Sequence, residues 1–210
     1  MNRPHDPEPE LAKLSAEPCD QQPVAHEREA DCALALRRGE DTLGEWYRAA
    51  WPVVHRLCAG LLASTVEADD VAQDAMLHIA DQLDHWDTSR PYAPWRQRIV
   101  VNRCRDHLRA GRRRRVHEEA AGAIWHGASL PDPASLAASA EVGALVDRCL
   151  VRLPPREREV FVLVDLEGTP PVEVALLLGI TSSTVRAALA LARRRLRAAL
   201  APHLAEGDCA

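Results

Sequence analysis

Two stretches in the last third of the chain decide the fold: Leu153-Pro-Pro-Arg-Glu-Arg-Glu-Val160, and Gly179-Ile-Thr-Ser-Ser-Thr-Val185 leading into an arginine-rich segment. Pro154 and Pro155 stop one helix and start another, since proline is tolerated in a first helical turn but not in a helix interior. Gly168 stops that second helix. Thr169 is then expected to cap a short helix with Pro170 at its start, and Gly179 to supply the next turn. A last helix is expected from Thr181 or Ser182 to about Ala201, with Val185, Leu189, Ala192 and Leu196 inward. Two short helices joined by a glycine turn, the second basic, read as a helix-turn-helix able to sit in a DNA major groove. The hydroxyls of Ser182, Ser183 and Thr184 suit phosphate oxygens and Arg186 a guanine edge, with Arg193 further along. The blander reading is a plain helical hairpin with Arg193 to Arg195 as a solvated face.

Upstream, apolar residues recur at spacings of three and four: Leu43, Trp46, Tyr47, Ala50, Val54, Leu57, Cys58, Leu61 and Leu62 predict one long helix, which Pro52 should bend. Ser64 or Thr65 can cap a second helix to about His85, with Ala72, Ala75, Met76, Ile79, Leu83 and Trp86 inward. A third, from about Ala93 to Ala110, is expected to bury Trp95, Ile99, Cys104 and Leu108 and to end near Gly111. A fourth spans roughly Leu136 to Arg152. Helix formers dominate and no strand-length alternation occurs, so the fold is all-α, two small helical domains joined by a flexible linker. The boundaries are a disordered acidic, proline-rich tail over 1–29, a helical bundle over 30–115, a linker over 116–135, a helix-turn-helix domain over 136–203 and a tail over 204–210.

The formal net charge of the 210 residues is -5, but its distribution carries the information. Acids crowd the first thirty residues and the stretch from Glu67 to Asp87. Arg90 to Arg115 holds ten arginines against the single acid Asp106. Lys13 is the only lysine. Arginine suits bidentate phosphate contacts, although a genome rich in G and C produces the same bias.

Within that basic stretch, Trp86, Tyr92 and Trp95 lie among Arg90, Arg96, Arg98, Arg103, Arg105 and Arg109, a pattern that can stack an unpaired base while guanidinium groups hold the backbone. Trp86 and Trp95 closing the bundle core is the competing reading, favoured for Trp95. Asn102 and Asp106, one turn apart, can pair with each other or with a base. Four acids within eight residues at a helix start, Glu67, Asp69, Asp70 and Asp74, exceed what the helix dipole needs and suit a basic protein partner.

The sequence argues against several other classes. Six scattered cysteines show no zinc spacing; Cys58, Cys104 and Cys149 fall on apolar helix faces and read as core residues. Cys19, His26 and Cys32, or Cys209, are the residues left to a sensing role. No signal-peptide region or long apolar run occurs, so a cytoplasmic protein without membrane contact is expected. No Ser-His-Asp order, glycine-rich phosphate loop or carboxylate pocket supports an enzyme, and no cofactor or metal is expected.

The order of these pieces resembles extracytoplasmic-function (group IV) RNA polymerase sigma factors. Trp46-Tyr-Arg-Ala-Ala-Trp-Pro-Val-Val-His-Arg-Leu57, Glu67-Ala-Asp-Asp-Val-Ala-Gln-Asp74 and Trp95-Arg-Gln-Arg-Ile-Val-Val-Asn-Arg-Cys-Arg-Asp-His-Leu-Arg109 are similar to that family's region 2. Leu153 to Phe161 and Glu173 to Arg186 are similar to its region 4. The resemblance implies that Asp69, Asp70, Gln73 and Asp74 dock on core RNA polymerase, and that the loop from Asp87 to Pro94 captures a flipped minus-10 base. Trp86, Arg90, Tyr92, Trp95, Arg98, Asn102, Arg103, Asp106 and Arg109 would then hold duplex or melted minus-10 DNA, and Ser182, Ser183, Thr184, Arg186 and Arg193 the minus-35 element. It also implies an anti-sigma partner. Ala187, Ala188 and Ala190 stand where the family carries side chains that reach DNA, so minus-35 readout would lean on backbone contacts and DNA shape. Two other readings stay open: a helix-turn-helix regulator that never joins polymerase, and an adaptor that titrates an anti-sigma partner without reading DNA.

Overall fold

The computed structural model describes residues 22–40, 42–62, 64–120 and 138–207, and every regular element in them is helical. In chain order these are α1 (Gln22–Arg37), α2 (Leu43–Leu62), α3 (Thr65–Asp81), α4 (Tyr92–Ala120), α5 (Ala138–Val151), α6 (Pro155–Phe161), α7 (Pro171–Leu178) and α8 (Ser182–Gly207). A 3₁₀ turn, Leu83–His85, follows α3, and α6 runs directly into a π turn, Val162–Leu166.

The first four helices pack as a bundle. Trp46, Ala50, Val54, Leu57, Cys58 and Leu61 recur at helical spacing on α2 and are all buried, against Ala72, Ala75, Met76 and Ile79 of α3. Helix α2 continues through Pro52, whose side chain is exposed. Ser64 caps α3, its hydroxyl accepting from the Glu67 amide at 3.3 Å. The buried indole of Trp46 donates to the Tyr92 hydroxyl at 3.2 Å, which joins α2 to the start of α4.

Several expectations shift. Helix α1 starts at Gln22, inside the stretch expected to be tail, and its Glu29 is fully buried. Periodic apolar signal is weak there because the helix meets the bundle partly through charge. Helix α4 does not stop at Gly111 but runs to Ala120, since one glycine costs a helix only about 1 kcal/mol and the arginines around it are good helix formers. Its buried face also differs: Trp95, Ile99 and Leu108 are half-buried, whereas Arg96 and Gln97 are buried beside Val100, Val101 and Cys104. The tail over 1–21, the expected linker from 121 onward together with 136 and 137, and residues 208–210 lie outside the described residues.

In the second body, Pro154 and Pro170 occupy the N-cap positions, with Pro155 and Pro171 at the first helical positions of α6 and α7. Thr169 therefore does not cap α7; its hydroxyl turns instead to Gln97 of α4, donating at 3.1 Å and accepting at 2.9 Å. Gly179 closes α7 with φ 68°, the left-handed conformation that favours glycine. Thr181 then caps α8 by accepting from the Thr184 amide at 3.2 Å. The two bodies touch: α2 meets α5, α6 and the π turn, and α4 meets α7.

Candidate nucleic-acid interface

Helix α3 buries Ala68, Val71, Ala72, Ala75, Met76 and Ile79, which leaves Asp69, Asp70, Gln73 and Asp74 together on its outer face, all exposed. Three of the acids in this region already have partners in the bundle. His55 Nε2 lies 2.9 Å from Asp69, Arg103 Nη1 3.6 Å from Asp74 and His107 Nε2 3.7 Å from Glu67. Two exposed apolar residues flank the acids, Val66 (76 % exposed) and Leu77 (69 %). Sequence reasoning missed both, although the spacing 66, 70, 73, 77 puts them on the acidic face. An acidic strip with apolar ends matches a basic amphipathic partner helix. Beside it on α2, Tyr47, Trp51 and His55 stack in a ladder with centroids 5.5 and 5.6 Å apart, also unforeseen.

The aromatic cluster at the start of α4 divides its expected members. Trp86 and Tyr92 are buried, 5.0 Å apart edge-to-face, so both serve the core rather than an open base-stacking surface; burial also raises the Tyr92 phenol above its ordinary range. Trp95 is half-buried, 5.6 Å from Tyr92 and 6.3 Å from Trp86, and is the ring of the three best placed to meet a base. The loop above this floor is pre-formed. Asp87 accepts from the Ser89 hydroxyl at 2.6 Å and the Ser89 amide at 3.0 Å, and these bonds hold its carboxyl below the usual carboxylate range. The Trp86 indole donates to the Arg90 carbonyl at 3.1 Å, and Arg37 donates to the Trp86 carbonyl at 2.6 Å. Arg90 itself is exposed and 3.3 Å from Asp87.

Along α4, Arg98, Asn102, Asp106 and Arg109 are exposed at spacings of four, four and three, forming one outward strip that Arg112, Arg113 and Arg114 extend. Asp106 pairs with Arg109 at 3.1 Å. Arg103, expected on DNA, turns to Asp74 of the acidic face. Arg96 and Arg105 leave the DNA-facing set: Arg96 is fully buried, and Arg105 makes a two-pronged contact with Glu159 at 2.7 and 2.9 Å.

On α8, Ser183, Thr184 and Arg186 are exposed and Ser182 is half-buried. The Thr181 hydroxyl lies 2.8 Å from those of Ser183 and Thr184, which gathers the three at the helix start. Arg193 grips Asp165 at 2.6 and 2.8 Å, bonds that raise its guanidinium further, so it braces the domain in this state. Arg194 and Arg197 instead share an outward face with Arg186 and Ala190. Ala188 is buried, so it fills the core rather than replacing a DNA-facing side chain; Ala187 and Ala190 are exposed.

Among the described residues there is no cluster of histidine, cysteine and carboxylate side chains that could hold a metal ion, and no single helix long and apolar enough to cross a membrane.

Comparison with known proteins agrees with this geometry. Residues 46–114 match the sigma-70 region 2 family and residues 144–196 the sigma-70 region 4 family. The chain is 32 % identical over 176 residues to the ECF RNA polymerase sigma factor SigM of Mycobacterium tuberculosis, covering 81 % of this chain and 84 % of that one. It is 27 % identical over 153 residues to the ECF RNA polymerase sigma factor SigW of Bacillus subtilis, covering 69 % and 81 %. Two solved structures share the fold: the sigma factor RpoE in complex with the anti-sigma factor NepR from Bartonella quintana (TM-score 0.60, 19 % identity, 75 % of this chain and 95 % of that one), and CnrH in complex with the cytosolic domain of CnrY (TM-score 0.56, 22 % identity, 87 % and 99 %). With region 2 and region 4 both present, in this order and on two helical bodies, the chain belongs to the ECF RNA polymerase sigma factors.

Proposed function

We propose that the chain acts as an alternative sigma factor in which α3 docks on core RNA polymerase, the α4 strip with the Asp87–Pro91 loop holds the minus-10 element, and the start of α8 reads the minus-35 element. One observation carries this reading: two helical bodies matched to regions 2 and 4 each present an exposed basic face, Arg98, Asn102 and Arg109 on one and Ser183, Thr184 and Arg186 on the other. The work is binding rather than bond-making. A loop and ring that hold single-stranded minus-10 DNA better than duplex shift the melting equilibrium by that difference in affinity. The half-exposed Trp95 beside Arg90 and Arg98 suits this role, because base stacking on an aromatic ring is worth about 1–3 kcal/mol.

Region 4 keeps Arg186 as its base-reading candidate, with Arg194 and Arg197 on phosphate. Burial of Ala188 removes part of the motive for an adaptor that no longer reads DNA. The acidic face of α3, with Val66 and Leu77 at its ends, gives the polymerase reading a surface that a stand-alone regulator would not use. An anti-sigma protein is a further proposed partner, supported by the two structural neighbours, which are themselves bound to such a factor and to the cytosolic domain of CnrY.

Run-off transcription with purified core polymerase and a pool of genomic promoter fragments tests the reading. New transcripts that require the chain and share two upstream elements are the expected result. A chain that neither binds core polymerase nor changes the transcripts removes it.

A further inference from the structure

Helix α1 precedes residues 46–114, the part of the chain matched to region 2, yet it holds both ends of the loop that the initiation reading places on minus-10 DNA. Glu29, Ala33 and Arg37 follow one another at spacings of four along one side of α1. Glu29 and Ala33 are fully buried. Arg37 ends the helix, with its side chain 32 % exposed.

Glu29 serves the far end of the loop, where α4 begins. It lies 3.3 Å from the buried Arg96, which is also 4.0 Å from Glu167. Burial first, and then the charge of Glu29, keep the Tyr92 phenol above its ordinary range, so this carboxylate sits close to both residues. The Tyr92 hydroxyl meanwhile accepts from Trp46 of α2 at 3.2 Å.

Arg37 serves the near end. Its Nη1 donates to the Trp86 carbonyl at 2.6 Å, across a sequence separation of 49 residues. The Trp86 amide donates to the Leu83 carbonyl at 3.1 Å, and its indole to the Arg90 carbonyl at 3.1 Å. Trp86 is thus held at three points where the 3₁₀ turn gives way to extended backbone, at ψ 121°. A peptide unit is planar, so fixing the Trp86 carbonyl also fixes the Asp87 amide and the direction in which the loop departs. Arg37 also faces Asp84, 4.0 Å away and 86 % exposed, a pair that water screens. The short bond from its guanidinium to a carbonyl is the stronger contact, so the place of Arg37 answers to the loop.

Asp87 to Pro91 are all exposed. Within the loop, the Ser89 amide donates to the Asp87 carboxylate at 3.0 Å and the Arg90 amide to the Asp87 carbonyl at 3.0 Å. Those two bonds keep the shape of the loop, and the Arg37 bond sets its angle against the bundle. A loop already ordered and aimed gives up less freedom when a base arrives than one that must settle on it, so more of the contact energy becomes affinity. It also meets every base with one fixed geometry, so a wrong base leaves polar groups unpaired that the loop does not re-aim.

We propose that Arg37 is a positioning residue for minus-10 recognition: through the Trp86 carbonyl it sets the angle at which the Asp87–Pro91 loop stands beside Trp95, so that one unpaired base is held and told from the others. The proposal deepens the initiation reading and rests on its placement of this loop. The gain from aiming the loop does not exceed the net worth of the bond that aims it, which puts the effect at about fivefold to tenfold in affinity.

Three full-length variants provide the test. Arg37→Met keeps most of the side chain's bulk and removes the donor, whereas Arg37→Lys keeps a donor and the charge. Arg38→Met is the neighbouring control, because Arg38 is 64 % exposed and pairs with Glu40. In the free chain, hydrogen exchange at the Ser89 and Arg90 amides should quicken about fivefold with Arg37→Met and not with Arg38→Met. Thermal unfolding should shift by no more than about 2–4 °C. In complex with core polymerase, Arg37→Met should bind a single-stranded oligonucleotide, carrying the minus-10 sequence recovered by run-off transcription, about fivefold to tenfold less tightly. It should also lose discrimination at one base position, while polymerase binding and affinity for a duplex minus-35 fragment stay as they were. Arg37→Lys should recover most of both losses. Unchanged amide exchange, unchanged strand affinity and base preference, or an equal loss in Arg37→Lys or Arg38→Met overturns the proposal. So does a loss that extends to polymerase binding and thermal stability, since that marks a structural role alone. If the unaltered chain in complex with polymerase prefers no base at any minus-10 position, the initiation reading is what fails, and exchange at Ser89 and Arg90 still decides whether Arg37 sets the loop.

Discussion

Helices α4 and α8 are both long, arginine-rich and matched to DNA-binding regions, yet they spend their arginines differently. On α4 the residues alternate by helical phase between two tasks. Arg96 and Arg105 face the other body and are buried or paired, while Arg98, Asn102 and Arg109 face solvent. On α8 the inward face is aliphatic, Val185, Leu189, Ala192 and Leu196, and the arginines pair only within their own body or point outward. A basic run is therefore two surfaces when a helix is packed on several sides and one when it is packed on a single side. Counting arginines does not separate these cases; their phase around the helix does.

The sharpest way to break the comparison is to change neighbours on α4. Arg96→Met should destabilise the fold by about 3–5 kcal/mol, because it strands buried carboxylates, whereas Arg98→Met should shift stability by less than about 0.5 kcal/mol and weaken minus-10 binding. Thermal unfolding beside a melted-strand binding assay checks both; equal losses of stability would erase the two-task division. On α8, Arg186→Ala should cost about 1–3 kcal/mol of affinity and relax preference at one minus-35 position. Arg109→Ala on α4 should instead weaken binding evenly across sequences and lower the salt slope by about one. Competition binding at several salt concentrations distinguishes them.

A smaller effect is expected on the acidic side. Asp70→Arg should weaken polymerase binding about tenfold, near 1.4 kcal/mol, with the fold intact, since a like charge would face a basic partner. Unaltered affinity for core polymerase would remove α3 from the docking surface. Smallest of all, Arg193→Ala should cost less than about 1 kcal/mol of stability, because its pair with Asp165 is partly solvated, and should change minus-35 affinity less than Arg194→Ala does. The reverse order in a binding titration would return Arg193 to the DNA face.

Much of the fold was legible beforehand for local reasons. Ser64 caps α3 because a serine hydroxyl satisfies an amide that any helix start leaves open, and Gly179 turns the chain because a left-handed residue is needed there, whatever surrounds them. The inward faces of α2, α3 and α8 follow from apolar spacing alone. The candidate site could be read only as residue types in an order, and of these the acidic face of α3, Asn102, Arg109, Ser183, Thr184 and Arg186 are exposed as expected. Trp86 and Tyr92 did not, because an aromatic ring beside arginines satisfies a core and a base-binding surface equally well in one dimension.

Local rules are also where Thr169 and Arg96 escape. Thr169 before two prolines reads as a cap, but its hydroxyl found Gln97, seventy-two residues away in sequence. Arg96 reads as one more phosphate contact, but its surroundings are Glu29 and Glu167, from opposite ends of the chain. The sequence by itself determined helix type, order, caps and aliphatic faces, because those depend on interactions within a few residues. Which charges stay exposed and which hold the two bodies together was decided only by tertiary structure, because a charge is stabilised in the interior only by a partner brought there from elsewhere in the chain.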